Sequence, residues 1–206
     1  MDPAKTIVSM RLVGGHLSLD FVNTVDARRD RCGPDLLESY GDLITWSTRV
    51  RLIDPATSDA VRKAALNSAK AAEEALSRAK ELREAMFGVL RSEAVGSTPP
   101  KPERDLFEAA VGEALRQRAF AWGSHGWAWR WISRGSLDDI PHRIAYETAA
   151  FIANREERRR VRECLGDNCG WLFLDTSRGG QRRWCSDQTC GSHSRVRRFR
   201  AKATNA

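Results

Sequence analysis

Apolar residues recur at helical spacing over much of the first three quarters of the chain. Residues three and four positions apart lie on one face of a helix, so these runs predict amphipathic helices that bury one side. After Asp54–Pro55 the stripe continues to about residue 94, and we predict two helices that break near Asn67–Ser68. The other predicted helices begin at Pro34–Asp35, span residues 103–119 and run from Ile140 to Val161. The positions expected to face the core include Leu66, Leu106 and Leu115.

The start of the chain mixes apolar and polar positions less regularly. Residues 10–13 suit a short strand that ends at the turn signal Gly14–Gly15. From His16 onwards the apolar residues fit either strand alternation or one face of a helix, and we favour a helix for the second half of this segment.

One aromatic-rich segment, "FAWGSHGWAWRWIS", has the alternation typical of a β-hairpin. Its turn is expected around Ser124–His125–Gly126. Trp127, Trp129 and Trp131 would share one face of the second strand because alternate residues of a strand point to the same side. The N-terminal part is therefore predicted to be mainly α with a small β-hairpin, an α+β domain.

Two pairs of cysteines stand near the C-terminus, each with four intervening residues and with fifteen residues between the pairs. These residues are Cys164, Cys169, Cys185 and Cys190. Two such pairs, each on a turn, are able to place four thiolates around one Zn²⁺, and the spacing falls in the range of structural zinc sites. A glycine follows the second cysteine of each pair, where backbone N–H groups could turn towards sulfur. We expect one structural zinc ion per chain.

The residues between the pairs predict a strand in "WLFLDTS" and a turn with a return strand in "RGGQRRW". The sequence therefore predicts a small treble-clef-like or ribbon-like module whose folding free energy comes largely from its metal.

Other uses of the thiols remain open at this point. The apparent absence of a signal peptide indicates a reducing compartment, which disfavours disulfides. Redox dithiols usually have two intervening residues, and an iron–sulfur cluster also takes four cysteines. His193 could replace one thiolate, but with four suitable cysteines we interpret it as a bystander or as a phosphate contact. Cys32 lies outside the cluster in the sequence and is interpreted as a free thiol.

Positive charge is concentrated at the same end of the chain. The formal net charge is +7. Residues 1–154 contain 21 basic and 21 acidic residues, whereas residues 155–206 contain 13 basic and 6 acidic residues. A neutral body with a basic module is typical of a protein that binds a polyanion, most often nucleic acid. A solvated basic tail is the simpler alternative.

A basic helix after Cys190 would hold cations in a fixed geometry for phosphates, with Val196 and Phe199 packed on the metal module. The candidate nucleic-acid contacts are Arg178, Arg182, Arg183, His193, Arg195, Arg197, Arg198, Arg200 and Lys202.

The segment "CLGDNCGWLFLDTSRGGQRRWCSDQTCGSHSRVRRFR" resembles the CGNR zinc finger, and "GGHLSLDFVNTV" resembles the signature of the ABATE domain that usually precedes it. The resemblance implies a stress-induced transcription regulator with a helical, sensor-like domain and a DNA-binding zinc module. The chain departs from the element that names the zinc finger, since Cys190 and Gly191 are followed by Ser192 and His193. Histidine would replace the family's arginine only weakly and in a pH-dependent way.

A helix from about residue 16 would place polar groups near one side, next to the predicted tryptophan hairpin. The candidate pocket residues are His16, Asp20, Asn23 and Trp129. His16 and Asp20 could bind a small effector or perform acid–base chemistry. A helix cap that ties down the N-terminal segment is the favoured alternative, because no nucleophile, metal triad or phosphate loop accompanies them.

These observations predict two domains, residues 1–158 and residues 159–206. No apolar run approaches the length of a membrane span, and we expect a cytoplasmic protein. The preferred function is transcription regulation through DNA, with a small-molecule effector as a further expected partner. The alternatives are a zinc-stabilised protein-interaction module and, less favoured, an enzyme that uses His16 and Asp20.

Overall fold

The fold, obtained as a computed structural model, describes residues 5–29, 32–124 and 126–204, without the side chains of residues 202 and 204. It is mainly helical with two small antiparallel hairpins. The helices are α1 Leu17–Val22, α2 Tyr40–Arg49, α3 Pro55–Asn67, α4 Ala69–Val95, α5 Lys101–Arg116, α6 Asp139–Ala153 and α7 Ser192–Thr204. The strands are β1 Arg118–Gly123, β2 Gly126–Trp131, β3 Val161–Glu163 and β4 Leu172–Leu174.

The predicted break in the alanine-rich run is confirmed. Helix α3 ends at Asn67, and Ser68 begins α4 by accepting a hydrogen bond on its hydroxyl from the Ala71 N–H at 3.3 Å. A side-chain acceptor at this position satisfies one of the N–H groups that a helix start leaves unpaired. Without Ser68 the two helices would have no local signal to separate them.

Helix α2 begins later than predicted, at Tyr40 instead of Pro34–Asp35. Ser39 and Asp42 form a reciprocal capping box there, while Asp35 forms an isolated bridge with Val25. The local cap therefore decides the start of α2, and the preceding proline does not.

The predicted strand over residues 10–13 is also wrong. Met10 is buried in the core, and its carbonyl accepts a hydrogen bond from Arg49 Nη2 at 2.9 Å. This segment lies in an irregular conformation because a side chain, not a neighbouring strand, satisfies that backbone group.

Helices α5 and α6 are shorter than predicted. Helix α5 ends at Arg116, and the Ile132 N–H donates to the Gln117 carbonyl at 2.9 Å just before β1 begins. Helix α6 ends at Ala153, and the polar residues after it form turns that leave Val161 free to pair with Leu174. Three leucines expected in the core are exposed because they lie on the outer faces of their helices. They are Leu66, Leu106 and Leu115.

The predicted hairpin is confirmed, with β1 and β2 paired antiparallel from Arg118–Trp131 to Gly123–Gly126. Of the proposed turn, His125 lies outside the described residues. Trp127 and Trp129 do share one face with Phe120, and their rings are stacked or tilted with centroids 5.2 and 5.3 Å from that of Phe120. The outer rings of this face are exposed to solvent.

The return strand predicted in "RGGQRRW" is absent from this part of the structure, where residues 178–184 form a turn and an irregular segment. The partner of β4 is instead β3, which precedes the first cysteine. The metal module therefore begins with a β-hairpin whose two strands flank the first cysteine pair.

A hydrophobic core runs from the helices into this hairpin. Its fully buried side chains include Phe21 of α1, Trp46 of α2 and Phe173 of β4. Helix α4 packs against α1, α5, α6 and β3, and α1 also packs against β4. None of the helices in the described ranges combines the length and apolar character needed to span a bilayer.

Candidate metal centre

The four predicted ligands converge on one point. Cys164 follows β3, and Cys169 lies in the loop before β4. Cys185 precedes a single π-helical turn, Asp187–Gly191, that contains Cys190 and leads into α7. All four Sγ atoms lie within 4.8 Å of one another, with Cys169–Cys185 at 3.8 Å and Cys185–Cys190 at 3.7 Å. A tetrahedron with Zn–S bonds of about 2.3 Å has edges of about 3.8 Å. The sulfur positions therefore fit a tetrahedral Zn²⁺.

The alternative of a disulfide does not fit this geometry. All four cysteines are free, and the sulfur separations of 3.7 and 3.8 Å are far beyond the bond length of about 2.0 Å. Cys32 is exposed and is not part of the cluster.

The backbone around Cys164 is arranged to stabilise a thiolate. The N–H groups of Gly166 and Cys185 donate to Cys164 Sγ at 3.3 and 3.2 Å. A Cβ on residue 166 would lie 2.7 Å from Cys190 Cβ, so only glycine permits the first loop to approach the second. We expected the glycines after the second ligands to supply these N–H groups, but Gly191 donates to the Ser186 carbonyl instead.

Crowding of the thiols has an electrostatic consequence. Hydrogen bonds from Cys169 and the other two thiols lower the pKa of Cys164, whereas the hydrogen bond with Cys164 raises the pKa of Cys185. Four thiolates at this separation repel one another without a cation. A bound Zn²⁺ supplies that charge and ties the two loops together.

Arg182 braces the module from inside. Its guanidinium donates to the carbonyls of Trp184, at 2.8 Å, and Cys185, and lies 4.5 Å from the centre of the Phe173 ring. These contacts hold the backbone that enters the second cysteine pair. Its predicted contact with nucleic acid stays a prediction.

Two ion pairs fasten α7 to the cysteine loops. Arg195 contacts Asp187 at 2.8 Å, and Arg197 contacts Asp167 at 2.5 Å. Each aspartate lies inside one cysteine loop, so α7 is anchored to both halves of the metal site. The contact of Arg195 and Arg197 with nucleic acid stays a prediction. Their acidic partners were not predicted, because the only signal of these aspartates is their place between paired cysteines.

The other predicted contacts differ in their surroundings. Arg183 and Arg198 are exposed and line a cavity of about 320 Å³ with Leu165 and Trp184. Arg178 is exposed in the turn after β4, and His193 and Arg200 are exposed on α7. The side chain of Lys202 lies outside the described residues.

Val196 and Phe199 do not pack on the module as expected. Phe199 is 76% exposed and Val196 is 49% exposed. The side of α7 that faces Leu165 and Trp184 carries Ser194, Arg198 and Ala201, so these two apolar residues are left towards solvent.

The polar residues near the N-terminus are tied into the fold. His16 Nδ1 accepts from the Ser18 N–H at 3.2 Å as the cap of α1, and burial lowers the pKa of this imidazole. Asp20 Oδ1 accepts from the Gly14 N–H at 2.8 Å. Trp129 contacts Phe120 and Arg118 on the hairpin. In the contacts that the structure describes, these residues have separate partners, and the small-ligand pocket stays a prediction.

Asn23 has a role that the sequence did not reveal. Its side-chain amide accepts from the Leu172 N–H at 2.9 Å and donates to the Leu172 carbonyl at 2.8 Å. The Leu174 N–H donates to the Gly14 carbonyl at 2.8 Å. The segment 14–24 thus satisfies the outer edge of β4, and it joins the N-terminal helices to the metal module.

Two known protein families match this chain. Residues 15–164 match the ABATE family, described as "Putative stress-induced transcription regulator". The chain belongs to the ABATE family. In this ABATE protein, residues 160–203 match the CGNR zinc finger, which contains all four cysteines. Together with the sulfur geometry, this match identifies the cluster as one structural zinc site. No curated protein matches the ABATE chain significantly.

Proposed function

We propose that this ABATE protein is a transcription regulator that binds DNA through its zinc module. The observation that carries the proposal is a basic helix fixed to a metal site by two ion pairs, Arg195–Asp187 and Arg197–Asp167. Because these pairs hold the helix, Arg198 on the helix and Arg183 beside it are presented at defined positions. Arginines in a fixed geometry suit the phosphates of a DNA backbone.

The same proposal assigns different roles to the two parts of the chain. Residues 159–206 would bind DNA, and residues 1–158 would form the regulatory body that responds to stress or to a small effector, in the cytoplasm. The family description supports regulation. Catalysis by His16 and Asp20 has little support, because both side chains are engaged in capping and tethering the first helix.

DNA binding is tested with zinc-loaded full-length protein and a fluorescent mixed-sequence duplex in a salt titration. We expect the logarithm of the binding constant to fall linearly with the logarithm of salt concentration. The double variant Arg183→Gln/Arg198→Gln should weaken binding and reduce the slope by about 2, since each lost phosphate contact removes about 0.9.

The matched control is Arg62→Gln/Lys63→Gln, which removes two adjacent exposed cations from α3. The control should bind as the wild type does. A zinc-loaded protein with no salt-dependent affinity for duplex DNA would overturn the proposal.

One observation favours a protein partner as the second candidate. Phe199 and Val196 expose an apolar strip on α7 next to its cations. If zinc-loaded protein ignores duplex DNA but captures a partner after nuclease treatment, and Phe199→Ser abolishes the capture, the zinc module is a protein-interaction surface.

A further inference from the structure

A second cationic cavity lies where the helical body meets the zinc module. It has a volume of about 400 Å³ and shares no lining residue with the cavity beside α7. Five arginines and one aspartate line it, together with the glycines of the turn after β4. The arginines are Arg158, Arg159, Arg160, Arg162 and Arg178. We call this place the junction site.

Two of these arginines are fixed by acidic partners. Arg158 Nη2 lies 3.0 and 2.7 Å from the two carboxylate oxygens of Glu93, and its guanidinium lies over the Phe151 ring at 3.8 Å. Arg162 Nε lies 2.8 Å from Asp175 Oδ2. The charges of both arginines are therefore balanced by carboxylates within the fold.

Asp175 is the only carboxylate among the described residues that line the junction site, and it is already paired within the fold. Asp175 is buried, and it also accepts hydrogen bonds from the Ser177 N–H at 3.1 Å, the Ser177 hydroxyl at 2.5 Å and the Arg182 N–H at 3.0 Å. These bonds and the charge of Arg162 outweigh the effect of burial and hold the pKa of Asp175 below its usual value. The Asp175 carboxylate therefore stays charged, and its oxygens already accept hydrogen bonds from groups within the fold.

Three arginines therefore remain without a counterion. Arg159, Arg160 and Arg178 are exposed, and within the described residues their guanidinium groups have no hydrogen-bond or ion-pair partner. Glycines 179 and 180 contribute no side chain to this wall, and Gly180 has a φ of 60° that favours glycine. The result is an open pocket with one wall free of side chains, and the unpaired charges among its described lining residues are all positive.

We propose that the junction site binds a phosphate-bearing polyanion through Arg159, Arg160 and Arg178. Guanidinium forks make paired hydrogen bonds to phosphate oxygens, and three of them around one cavity match a ligand with several phosphates. Two sources share this chemistry, the backbone of DNA and a free oligophosphate. The first source rests on the proposed function and extends the DNA footprint from α7 to the junction, whereas the second does not depend on it.

The test uses zinc-loaded full-length protein, with inorganic tripolyphosphate as the small probe in calorimetry and the same mixed-sequence duplex as the large one. The variants are Arg159→Gln/Arg160→Gln and Arg178→Gln, with Arg62→Gln/Lys63→Gln as the matched control. All changed side chains are exposed, so zinc content and circular dichroism should match the wild type.

For a free oligophosphate, we expect both junction variants to weaken tripolyphosphate binding at least tenfold while duplex affinity is unchanged. For DNA as the occupant, the same variants should weaken duplex binding and reduce its salt slope, and the control should alter neither ligand. Unchanged affinity for both probes in both variants would overturn the junction site.

The junction site and the proposed function can fail separately. Wild-type protein that binds tripolyphosphate in an Arg159- and Arg160-dependent way but never binds duplex DNA would retain the junction site and reject DNA binding. Conversely, duplex binding could be lost in Arg183→Gln/Arg198→Gln while both junction variants equal the wild type for both probes. That result would retain DNA binding by the zinc module and reject the junction site.

Discussion

Asp20 shows how much of the N-terminal motif serves the fold. Its carboxyl group is buried in α1 and accepts the Gly14 N–H at 2.8 Å. A Cβ on residue 14 would lie 2.8 Å from Leu19 Cβ, so a larger residue would break this contact. Burial raises the pKa of Asp20 to about 6, against the opposing effects of the Gly14 N–H and of Arg49. Asp20 is thus a buried tether of the N-terminal segment, and burial strengthens its hold on a proton.

Replacing Asp20 by Asn should flatten the pH dependence of stability. Because the folded chain holds this proton up to about pH 6 and the unfolded chain releases it near pH 4, the Asp20 contribution to the free energy of unfolding falls as pH rises between these values. The full difference is at most about 3 kcal/mol. Urea unfolding of zinc-loaded protein at several pH values between 4.5 and 7 measures it.

Asp59→Asn, at an exposed position of α3, is the control and should follow the wild type. If the difference between Asp20→Asn and wild type does not change with pH, the buried proton is absent.

At the scale of elements, the short strand β4 depends on α1 for its outer edge. The Asn23 amide pairs with both backbone groups of Leu172, as a neighbouring strand would. Trp171 Nε1 adds a bond to the Val25 carbonyl at 2.8 Å. These contacts place the zinc hairpin against the helical body.

Asn23→Ala should therefore destabilise the protein by about 2–4 kcal/mol, because it leaves a buried N–H and a buried carbonyl without partners. Chemical denaturation of the zinc-loaded protein gives this value. Asn67→Ala, at the exposed end of α3, is the matched control and should change stability by less than about 0.5 kcal/mol. Equal losses in the two variants would show that the Leu172 contact has no energetic role.

Elements with a strong local signal were predictable and those decided by distant contacts were not. The cap at Ser68 and the alternation of Trp127, Trp129 and Trp131 lie in the sequence itself, and both predictions are confirmed. The end of α6 and the pairing of β3 with β4 depend on residues far apart in the chain. The four zinc ligands were identified because metal geometry imposes their spacing, whereas the amide of Asn23 carries no such constraint.

For the whole molecule, the continuous core predicts that zinc binding stabilises the N-terminal helices as well as the zinc module. Phe173 and Leu172 of the zinc module are buried in the same cluster as Phe21 and Leu19 of α1. Loss of zinc leaves four crowded thiols without their cation, so it removes a support of that cluster as well.

Removal of zinc by a strong chelator should lower the thermal unfolding midpoint of the entire chain, including its helical signal, and added Zn²⁺ should restore it. Circular dichroism followed on heating, with metal content measured in parallel, provides the test. Cys185→Ser should reproduce the chelated state, whereas Cys32→Ser, outside the cluster, should keep both zinc and midpoint. An unchanged midpoint after complete zinc loss would contradict this stabilisation of the helices by zinc.

Residues 14–24 cover the outer edge of β4, and this cover also protects the chain against self-association. An unpaired strand edge is a template on which another polypeptide can add. Here the Asn23 amide and the Gly14 carbonyl make hydrogen bonds to that edge, so its backbone groups are satisfied within the same chain. A zinc module separated from the helical body would present the raw edge of Leu172–Leu174 to any neighbouring chain, and self-association would compete with its folding.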